Sequence, residues 1–386
     1  MSPATRRSES DVRRRLSLVA EPGDPRLRDL LQHHEPGAVL RAAQGRGVLA
    51  GRPLPAAWQE RAAGLDDADT VALARAESVG LRWVVPGDDE WPEPLGDLDH
   101  VEPLGGTAGA PLGLWVRGTV RLDEALSAAV AIVGARAATT YGLGLAGEIA
   151  AGLGDAGVAV VSGAAFGIDA AAHRGALAAR GTTVAVLAGG ADLPYPRAHA
   201  SLLDLIAAGG AVVSEQPPGQ VAIRARFLTR NRLIAALAGG TVVVEAAARS
   251  GSLNTLHWAD RLGRTTMGTP GPVTSQMSEG VHLALRSGEA ELVTRADDVL
   301  ESLGGIGAEP APEPVRRTTA YDRLGPDAAR TLDGLRWSET LTTDQVARRV
   351  GLAGSQAQEH LTALVDAGYA ERLGDGWTLV RRADLA

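Results

Sequence analysis

The sequence predicts an α/β protein with a doubly wound parallel sheet, preceded by a helical domain and followed by a winged-helix module. Short β-branched runs mark the strands, at residues 129–134, 158–163, 182–190, 210–215 and 241–246. Ala-rich amphipathic segments separate these runs, and the runs are too apolar to face water on either side. Such alternation is typical of a parallel sheet covered by helices on both faces.

A length of 386 residues is enough for two or three domains. Residues 1–110 are predicted to form a helical domain of the SAM or helix-hairpin-helix type, with helical segments at 12–18, 25–32, 56–64 and 70–78. Residues 111–302 hold the sheet, and the Pro/Gly-rich stretch 304–314 predicts a linker over 303–326. In residues 327–386, two short helices and a Gly-turned hairpin predict the winged helix, with Thr342 or Thr343 as a helix N-cap.

Composition excludes several kinds of chemistry. The chain has no Cys and no Lys, so all 38 basic residues are Arg. P-loop nucleotide binding and pyridoxal catalysis need Lys, while thiol catalysis, disulfides and zinc–thiolate sites need Cys. The net charge of −8 argues against indiscriminate binding of polyanions but allows a local basic groove. Since no signal peptide or spanning segment is evident, we expect a cytoplasmic protein away from the membrane.

A G-x-G-x-x-G pattern occurs at Gly142, Gly144 and Gly147. These glycines lie inside a predicted helix rather than in the turn after a strand, so the pattern does not indicate a dinucleotide site. The strand-to-helix turn is 134–142, where small residues and Arg136 predict a cradle for a phosphate. The alternative is an ordinary small, polar turn in which Arg136 pairs with a neighbouring acid.

The second loop, within 162–177, carries Asp169 and His173 four residues apart. Two such ligands are too few for a metal site, and a capping Asp beside a hydrogen-bonded His is the commoner outcome. We therefore expect no metal and no cofactor. Phe166 interrupts this otherwise small loop.

The clearest basic cluster contains Arg224, Arg226, Arg230 and Arg232, with Phe227 among them. No acidic residue occurs between Gln216 and Val244. Guanidinium groups that contact phosphates beside an exposed aromatic ring are what single-stranded nucleic acid requires. The alternative is a solvated helix start with a buried phenylalanine.

A third loop follows the strand at 241–246 and turns through Ser250, Gly251 and Ser252 into a helix. It is a candidate contact for an anion or a sugar, whereas Glu245 could equally be a buried cap. No motif of a nucleophile elbow or a zinc protease is present. The chain therefore shows more signs of binding than of catalysis, and we assign no catalytic residue.

Several segments together resemble the DNA-processing protein A (Smf) family: AIVGAR, VVSGAAFGIDAAAHRGAL, RNRLIAAL, VVVEAAARSGSL and GTPGPV occur in that family's order within 128–301. The resemblance implies a Rossmann-like domain that binds single-stranded DNA and forms a homodimer. It also implies loading of a RecA-type recombinase during natural transformation, without enzymatic turnover. A single-stranded-DNA-binding protein is a further partner that we consider.

The resemblance also implies a DNA pocket. It would include Arg136, the loop 163–169, Phe227, Arg230 and Arg232. With the basic cluster and the third loop added, the predicted DNA site comprises Arg136, Gly163, Phe166, Gly167, Asp169, Arg224, Arg226, Phe227, Arg230, Asn231, Arg232, Ser250, Gly251 and Ser252. The chain departs from the family at Phe166, where a basic residue is usual, at Leu228 for a usual Pro, and at Val281-His282. These departures reduce the charge of the pocket, although Phe166 could replace an ionic contact by stacking.

Two other functions are considered. The sheet and Glu245 are distantly similar to nucleotide phosphoribohydrolases of the lysine-decarboxylase-like group, but the P-G-G-x-G-T motif of that group is absent. A duplex-binding regulator would use the winged helix. Its predicted recognition helix offers Gln356, Gln358, Glu359 and His360 but little basic charge, which favours a protein-interaction role instead.

Overall fold

The structure is a computed structural model that describes residues 3–49, 54–304 and 321–380. Contacts divide the chain into two compact units, residues 1–311 and residues 312–386. Most of the predicted linker, residues 305–320, lies outside the described residues. The predicted boundary near residue 110 falls inside the first unit and stays a prediction. Among the described residues, no helix is both long and apolar enough to cross a membrane.

The first unit begins with helices packed around their own apolar core. These are α1 Pro3–Val19, α2 Pro25–Leu31, α3 Pro36–Ala43, α4 Ala56–Ala63 and α5 Leu65–Ser78. Leu16, Val39 and Trp58 are buried at the centre of this cluster. The four predicted helical segments are present, and α3 was not predicted.

A nine-stranded sheet forms the body of the unit. Its strands are β1 Arg82–Val84, β2 Leu114–Gly118, β3 Ala129–Val133, β4 Ala159–Ser162, β5 Thr183–Val186, β6 Ala211–Ser214, β7 Gly240–Val243, β8 Thr265–Gly268 and β9 Glu291–Leu292. Their order is β1-β2-β6-β5-β4-β3-β7-β8-β9. The strands from β6 to β9 are parallel, with Val130 of β3 opposite both Val160 and Gly240.

Helices cover both faces of this sheet, which confirms the doubly wound α/β prediction. They are α6 Leu122–Ala125, α7 Thr140–Asp155, α8 Ile168–Ala178, α9 Ala200–Gly209, α10 Arg224–Ala236, α11 Gly251–Arg261, α12 Glu279–Ser287 and α13 Ala296–Leu303. Apolar side chains of the strands alternate between two large buried clusters, one on each face: Ala131 lies in one and Ile132 in the other.

The sheet differs from the prediction at one edge. β1 pairs antiparallel with β2, and β2 pairs antiparallel with β6, so the sheet is not wholly parallel. The prediction was incomplete because β1 has only three residues, too few to show an alternating pattern.

The second unit contains three helices and a small sheet. Its elements are α14 Pro326–Asp333, β10 Leu341–Thr342, α15 Thr343–Val350, α16 Gly354–Asp366, β11 Ala370–Leu373 and β12 Gly376–Leu379, with the strand order β10-β12-β11. Thr342 is the N-cap of α15, where its side chain and that of Gln345 form a capping box. These elements have the order that a winged helix requires, and the assignment itself stays a prediction.

The glycines of the G-x-G-x-x-G pattern lie inside α7, as expected. Of the three, only Gly142 is at a position where a Cβ would overlap another group, the Glu245 side chain. A Cβ on Gly175 of α8 would overlap the carbonyl oxygen of Gly147, whereas a Cβ on Gly144 would meet open space. The contact between α7 and α8 therefore depends on Gly175 but not on Gly144.

This contrast predicts opposite effects of two identical substitutions. Gly175→Ala should destabilise the first unit by about 1–3 kcal/mol because the two helices must move apart. Gly144→Ala, the matched control, should stabilise it by about 0.5–1 kcal/mol because alanine loses less backbone entropy in a helix. Urea denaturation followed by circular dichroism measures both, and equal effects would contradict the packing described here.

Candidate nucleic-acid interface

The candidate site lies where the order of the parallel strands reverses. The chain runs from β3 through β4 and β5 to β6 on one side, and then crosses to β7 and β8 on the other. The loops after β3 and β7 therefore diverge and leave a crevice at the carboxyl edge of the sheet, the usual place for a ligand in such sheets. A pocket of about 220 Å³ occupies this crevice.

Eight of the residues predicted for the DNA site line this pocket: Arg136, Asp169, Phe227, Arg230, Asn231, Ser250, Gly251 and Ser252. They come from the loop after β3, the first turn of α8, the helix α10, and Ser250 with the first turn of α11, which are far apart in the sequence. Asn231 joins α10 to α11 by donating a hydrogen bond from Nδ2 to the Gly251 carbonyl oxygen at 3.1 Å.

Arg230 is the most unusual of these residues because it is a buried cation with few partners. Its exposed fraction is 6 %, and its Nη1 donates one long hydrogen bond, 3.3 Å, to the Val186 carbonyl oxygen. Its Nε has no hydrogen-bond partner among the described residues. A Cβ on Gly163 would overlap the Arg230 guanidinium, so only glycine leaves room for it. An anion in the pocket would supply the partners that this guanidinium lacks.

Asp169 balances Arg230 incompletely. The carboxylate is buried and accepts a hydrogen bond from the backbone N–H of Ala165 at 3.4 Å. Burial raises the pKa of Asp169, and the charge of Arg230 opposes that rise. Burial lowers the pKa of Arg230 to about 10; Asp169 opposes that fall and Arg136 adds to it. Arg230 therefore remains a cation at neutral pH.

Asp169 and His173 have separate partners rather than a shared ion. The His173 Nδ1 lies 2.7 Å from the hydroxyl of Thr183, and that hydroxyl donates to the Val160 carbonyl oxygen. His173 is therefore the donor, through Nδ1–H. Burial lowers the pKa of His173 to about 3, with the positive charge of Arg230 adding to the effect. His173 is a neutral structural residue beneath the pocket.

Aromatic rings form the rim of the site. The Arg136 guanidinium carbon lies 4.6 Å from the centre of the Phe227 ring, and the Tyr195 ring lies 5.3 Å from the same ring. Phe166, on the loop after β4, packs edge-on against His199 with ring centres 4.7 Å apart. Phe166 is 49 % exposed and Tyr195 is 44 % exposed. Phe227 itself is only partly exposed, so the accessible rings beside the pocket are those of Phe166 and Tyr195.

The sequence prediction missed Tyr195. The residue lies in the long connection between β5 and α9, a segment without a regular pattern. The signal available in the sequence was its scarcity, since the chain has only four Tyr and two Phe. An aromatic residue in a polar loop of such a chain is a candidate for a contact with a ligand.

The predicted basic cluster of four arginines needs correction. Arg232 is fully buried, with both terminal nitrogens at 2.7 Å from the Glu215 carboxylate and its Nε donating to the Gly109 carbonyl oxygen. Arg226 pairs with Glu21 at 3.1 Å. Neither residue lines the pocket, because each side chain is held by a carboxylate from another segment, Glu21 for Arg226 and Glu215 for Arg232. Arg224 is exposed at the first turn of α10.

The predicted phosphate cradle after β3 also needs correction. The Glu245 carboxylate accepts hydrogen bonds from the backbone N–H of Thr139 at 2.9 Å and from its hydroxyl at 2.6 Å. The N-terminus of α7 is therefore closed by a carboxylate of the chain itself, and Glu245 is the buried cap that the sequence allowed. Arg136 remains exposed beside it.

The N-terminus of α11 is the helix end that faces the pocket. Ser250 is its N-cap, with a side chain that accepts a hydrogen bond from the backbone N–H of Ser252 at 3.3 Å. A Cβ on Gly251 would meet nothing within 4 Å, so a ligand can approach the backbone closely there. The pocket thus combines two guanidinium groups with the positive end of a helix dipole.

Comparison with known proteins gives consistent matches over the sheet. The family model described as DNA recombination-mediator protein A matches residues 82–304. A DNA processing protein DprA of Mycobacterium tuberculosis is 48% identical over 307 residues, which cover 78% of each chain. Protein Smf of Escherichia coli is 36% identical over 308 residues, again 78% of each chain.

A solved structure agrees with these matches. The X-ray structure of DNA processing protein A from Streptococcus pneumoniae superposes with a TM-score of 0.56 and 34% sequence identity, covering 68% of this chain and 90% of that one. The chain therefore belongs to the DNA recombination-mediator protein A family.

Proposed function

We propose that the protein binds single-stranded DNA at this pocket and acts as a recombination mediator. The observation that carries the proposal is Arg230, a buried guanidinium without enough partners, beneath a pocket that Arg136 and the N-terminus of α11 also face. A phosphate group matches this set of donors in charge and geometry. Nothing else among the described residues neutralises Arg230 except Asp169, which forms no direct ion pair with it.

The rim favours a single strand over a duplex. Phe227, Tyr195 and Phe166 offer ring surface to nucleobases, and bases present their faces only when they are unpaired. Arg136 and Tyr195 both contact the Phe227 ring, so a base that packs against this group would extend an existing aromatic and cation–π cluster. Stacking is tolerant of sequence, so we expect binding without strong base preference.

The partners of the protein and the process in which it acts are proposed from the resemblance to the family. The proposed role comprises formation of a homodimer, loading of a RecA-type recombinase onto single-stranded DNA, cooperation with a single-stranded-DNA-binding protein and a place in natural transformation, in the cytoplasm. The division into a helical domain at 1–110, a sheet domain at 111–302, a linker at 303–326 and a winged helix at 327–386 belongs to the same proposal. The family match over residues 82–304 supports the DNA-processing part.

We assign the second unit a protein-interaction role. In α16, Gln358 is engaged by the chain itself, since its Oε1 accepts a hydrogen bond from the Thr343 hydroxyl at 2.8 Å. The remaining polar side chains of its first turns include Glu359 and His360 but no arginine. A helix without cations is poorly suited to lie among phosphates.

Two substitutions separate the ionic from the stacking contribution. Arg136→Ala should weaken binding of an oligothymidylate about tenfold and reduce the slope of log K against log salt by about 0.7, because one phosphate contact is lost. Phe227→Ala should cost about 1–3 kcal/mol with an unchanged salt slope, because stacking releases no counterions. Fluorescence anisotropy titrations at several salt concentrations measure both quantities.

The matched control is Arg226→Gln, which removes a positive charge from α10, the helix that carries Phe227, at a position outside the pocket. Its affinity and salt slope should equal those of the unmodified protein. A loss as large as that of Arg136→Ala would show that diffuse charge, rather than this pocket, binds the DNA. Equal affinity for duplex and single strand would contradict the role of the aromatic rim.

The enzymatic alternative would need Glu245 as its catalytic carboxylate, and Glu245 is not accessible to a substrate in this structure. Glu245 is 1 % exposed and is held by Thr139, so it cannot reach a glycosidic bond in the pocket. Incubation with nucleoside monophosphates should therefore release no free base, as measured by chromatography. Release of free base by the unmodified protein, but not by Glu245→Gln, would instead support the phosphoribohydrolase function.

A further inference from the structure

A second and larger cavity lies in the first unit, away from the DNA pocket. It measures about 720 Å³ and is bounded by the first three helices on one side and by residues 86–112 on the other. A volume of this size is in the range of ligand-binding cavities. None of the residues predicted for the DNA site lines it.

The cavity is acidic. Five carboxylates line it, those of Asp24, Glu35, Glu93, Asp99 and Glu215. Only two guanidinium groups do so, those of Arg13 and Arg28. When the ion-pair partners Glu9, Arg26 and Arg232 are included, six carboxylates face four guanidinium groups. Three histidines, His33, His34 and His100, also line the cavity. Because the carboxylates outnumber the guanidinium groups, a cationic ligand is favoured over an anionic one.

Two of these carboxylates are free to bind a ligand. Glu35 and Glu93 are both exposed, and neither forms an ion pair or a side-chain hydrogen bond among the described residues. Glu35 is at the N-cap position of α3 but makes no capping bond there. Their charges are available without breaking an interaction of the folded chain.

The walls between the charges are apolar. Leu27, Leu31, Trp91 and Leu112 line the cavity, and all but Leu31 are buried. Leu112 belongs to the same apolar cluster as the N-terminal helices. An occupant that matches both features carries positive charge next to aliphatic or aromatic groups, as does a protein segment that alternates arginine or lysine with leucine.

The inner wall of the cavity contacts α10, the helix that carries Arg230. Glu215 lines the cavity and holds Arg232 of α10 through two hydrogen bonds of 2.7 Å. Gly109 lines it as well, and its carbonyl oxygen accepts from the Arg232 Nε at 3.0 Å. A Cβ on Gly23, another lining residue, would lie 2.9 Å from the Thr229 methyl group of α10. An occupant of the cavity would thus touch groups that set the position of α10.

We propose that this cavity is the docking site for a basic, apolar segment of a partner protein, and that its occupation restrains α10 and through it the DNA pocket. The docking rests on the cavity alone. The link to DNA binding rests on the function proposed above. The excess of carboxylates in the cavity requires a cationic peptide, so an acidic peptide or a nucleic acid would not bind.

The test uses the full chain and a fluorescent tetrapeptide of alternating leucine and arginine, with a tetrapeptide of leucine and glutamate as the negative control. Anisotropy should show saturable binding of the first and none of the second. Replacing both Glu35 and Glu93 by Gln should weaken binding roughly five- to tenfold, the effect of two rim charges. The matched control is Glu77→Gln on α5, an exposed acid outside the cavity, which should leave binding unchanged.

Amide hydrogen exchange, measured on the same mixture, tests separately whether occupation of the cavity restrains α10. The peptide should slow amide exchange in residues 22–34 and 86–112 and also in α10. Protection of the cavity walls without α10 would overturn the link but leave docking and DNA binding intact. Absence of saturable binding, or equal loss with Glu77→Gln, would overturn the docking whatever the result of the oligonucleotide titrations.

Discussion

The position of α10 depends on one buried ion pair. Arg232 and Glu215 form two charge-assisted hydrogen bonds, with Arg232 fully buried and Glu215 6 % exposed, and Arg232 also donates to the Gly109 carbonyl oxygen. Loss of one partner would leave an uncompensated buried charge, which costs about 3–5 kcal/mol. Because this pair fixes the rotation of the helix, Arg230 and Phe227 are turned toward the pocket. The cationic pocket is thus a consequence of a neutralised arginine two residues away.

Arg230 and Arg232 lie two residues apart in α10, and both are buried, but they have different roles because only one of them is fully paired. Arg232 is completely satisfied and contributes to the fold, whereas Arg230 is incompletely satisfied and is available to a ligand. Gly163 makes this possible, since any side chain there would displace the guanidinium. The charge of Asp169 limits the cost of the buried guanidinium, although Asp169 forms no direct ion pair with Arg230 that would close the pocket. Unsatisfied groups of this kind concentrate at functional sites.

The sequence was sufficient to predict the doubly wound sheet, the loops that converge and a helix N-cap at Thr342 or Thr343, which the structure places at Thr342. These features depend on local pattern and on the rule that parallel strands end at one edge. It was insufficient to predict the interaction partners of Arg226, Arg232 and Glu245. The partners of these residues, Glu21, Glu215 and Thr139, lie 205, 17 and 106 positions away. No charge pattern along the chain reveals such pairs. The edge strand β1 was missed for another reason, since three residues carry too little periodicity.

The central claim is that the Arg230 guanidinium binds a DNA phosphate. The most direct measurement is ¹⁵N NMR of arginine side chains in the full chain, with signals assigned by single substitutions, during titration with an oligothymidylate. The account predicts a large shift and slower hydrogen exchange of the Arg230 Nε–H, with little change at Arg232. An unchanged Arg230 signal in a protein saturated with DNA would contradict the account.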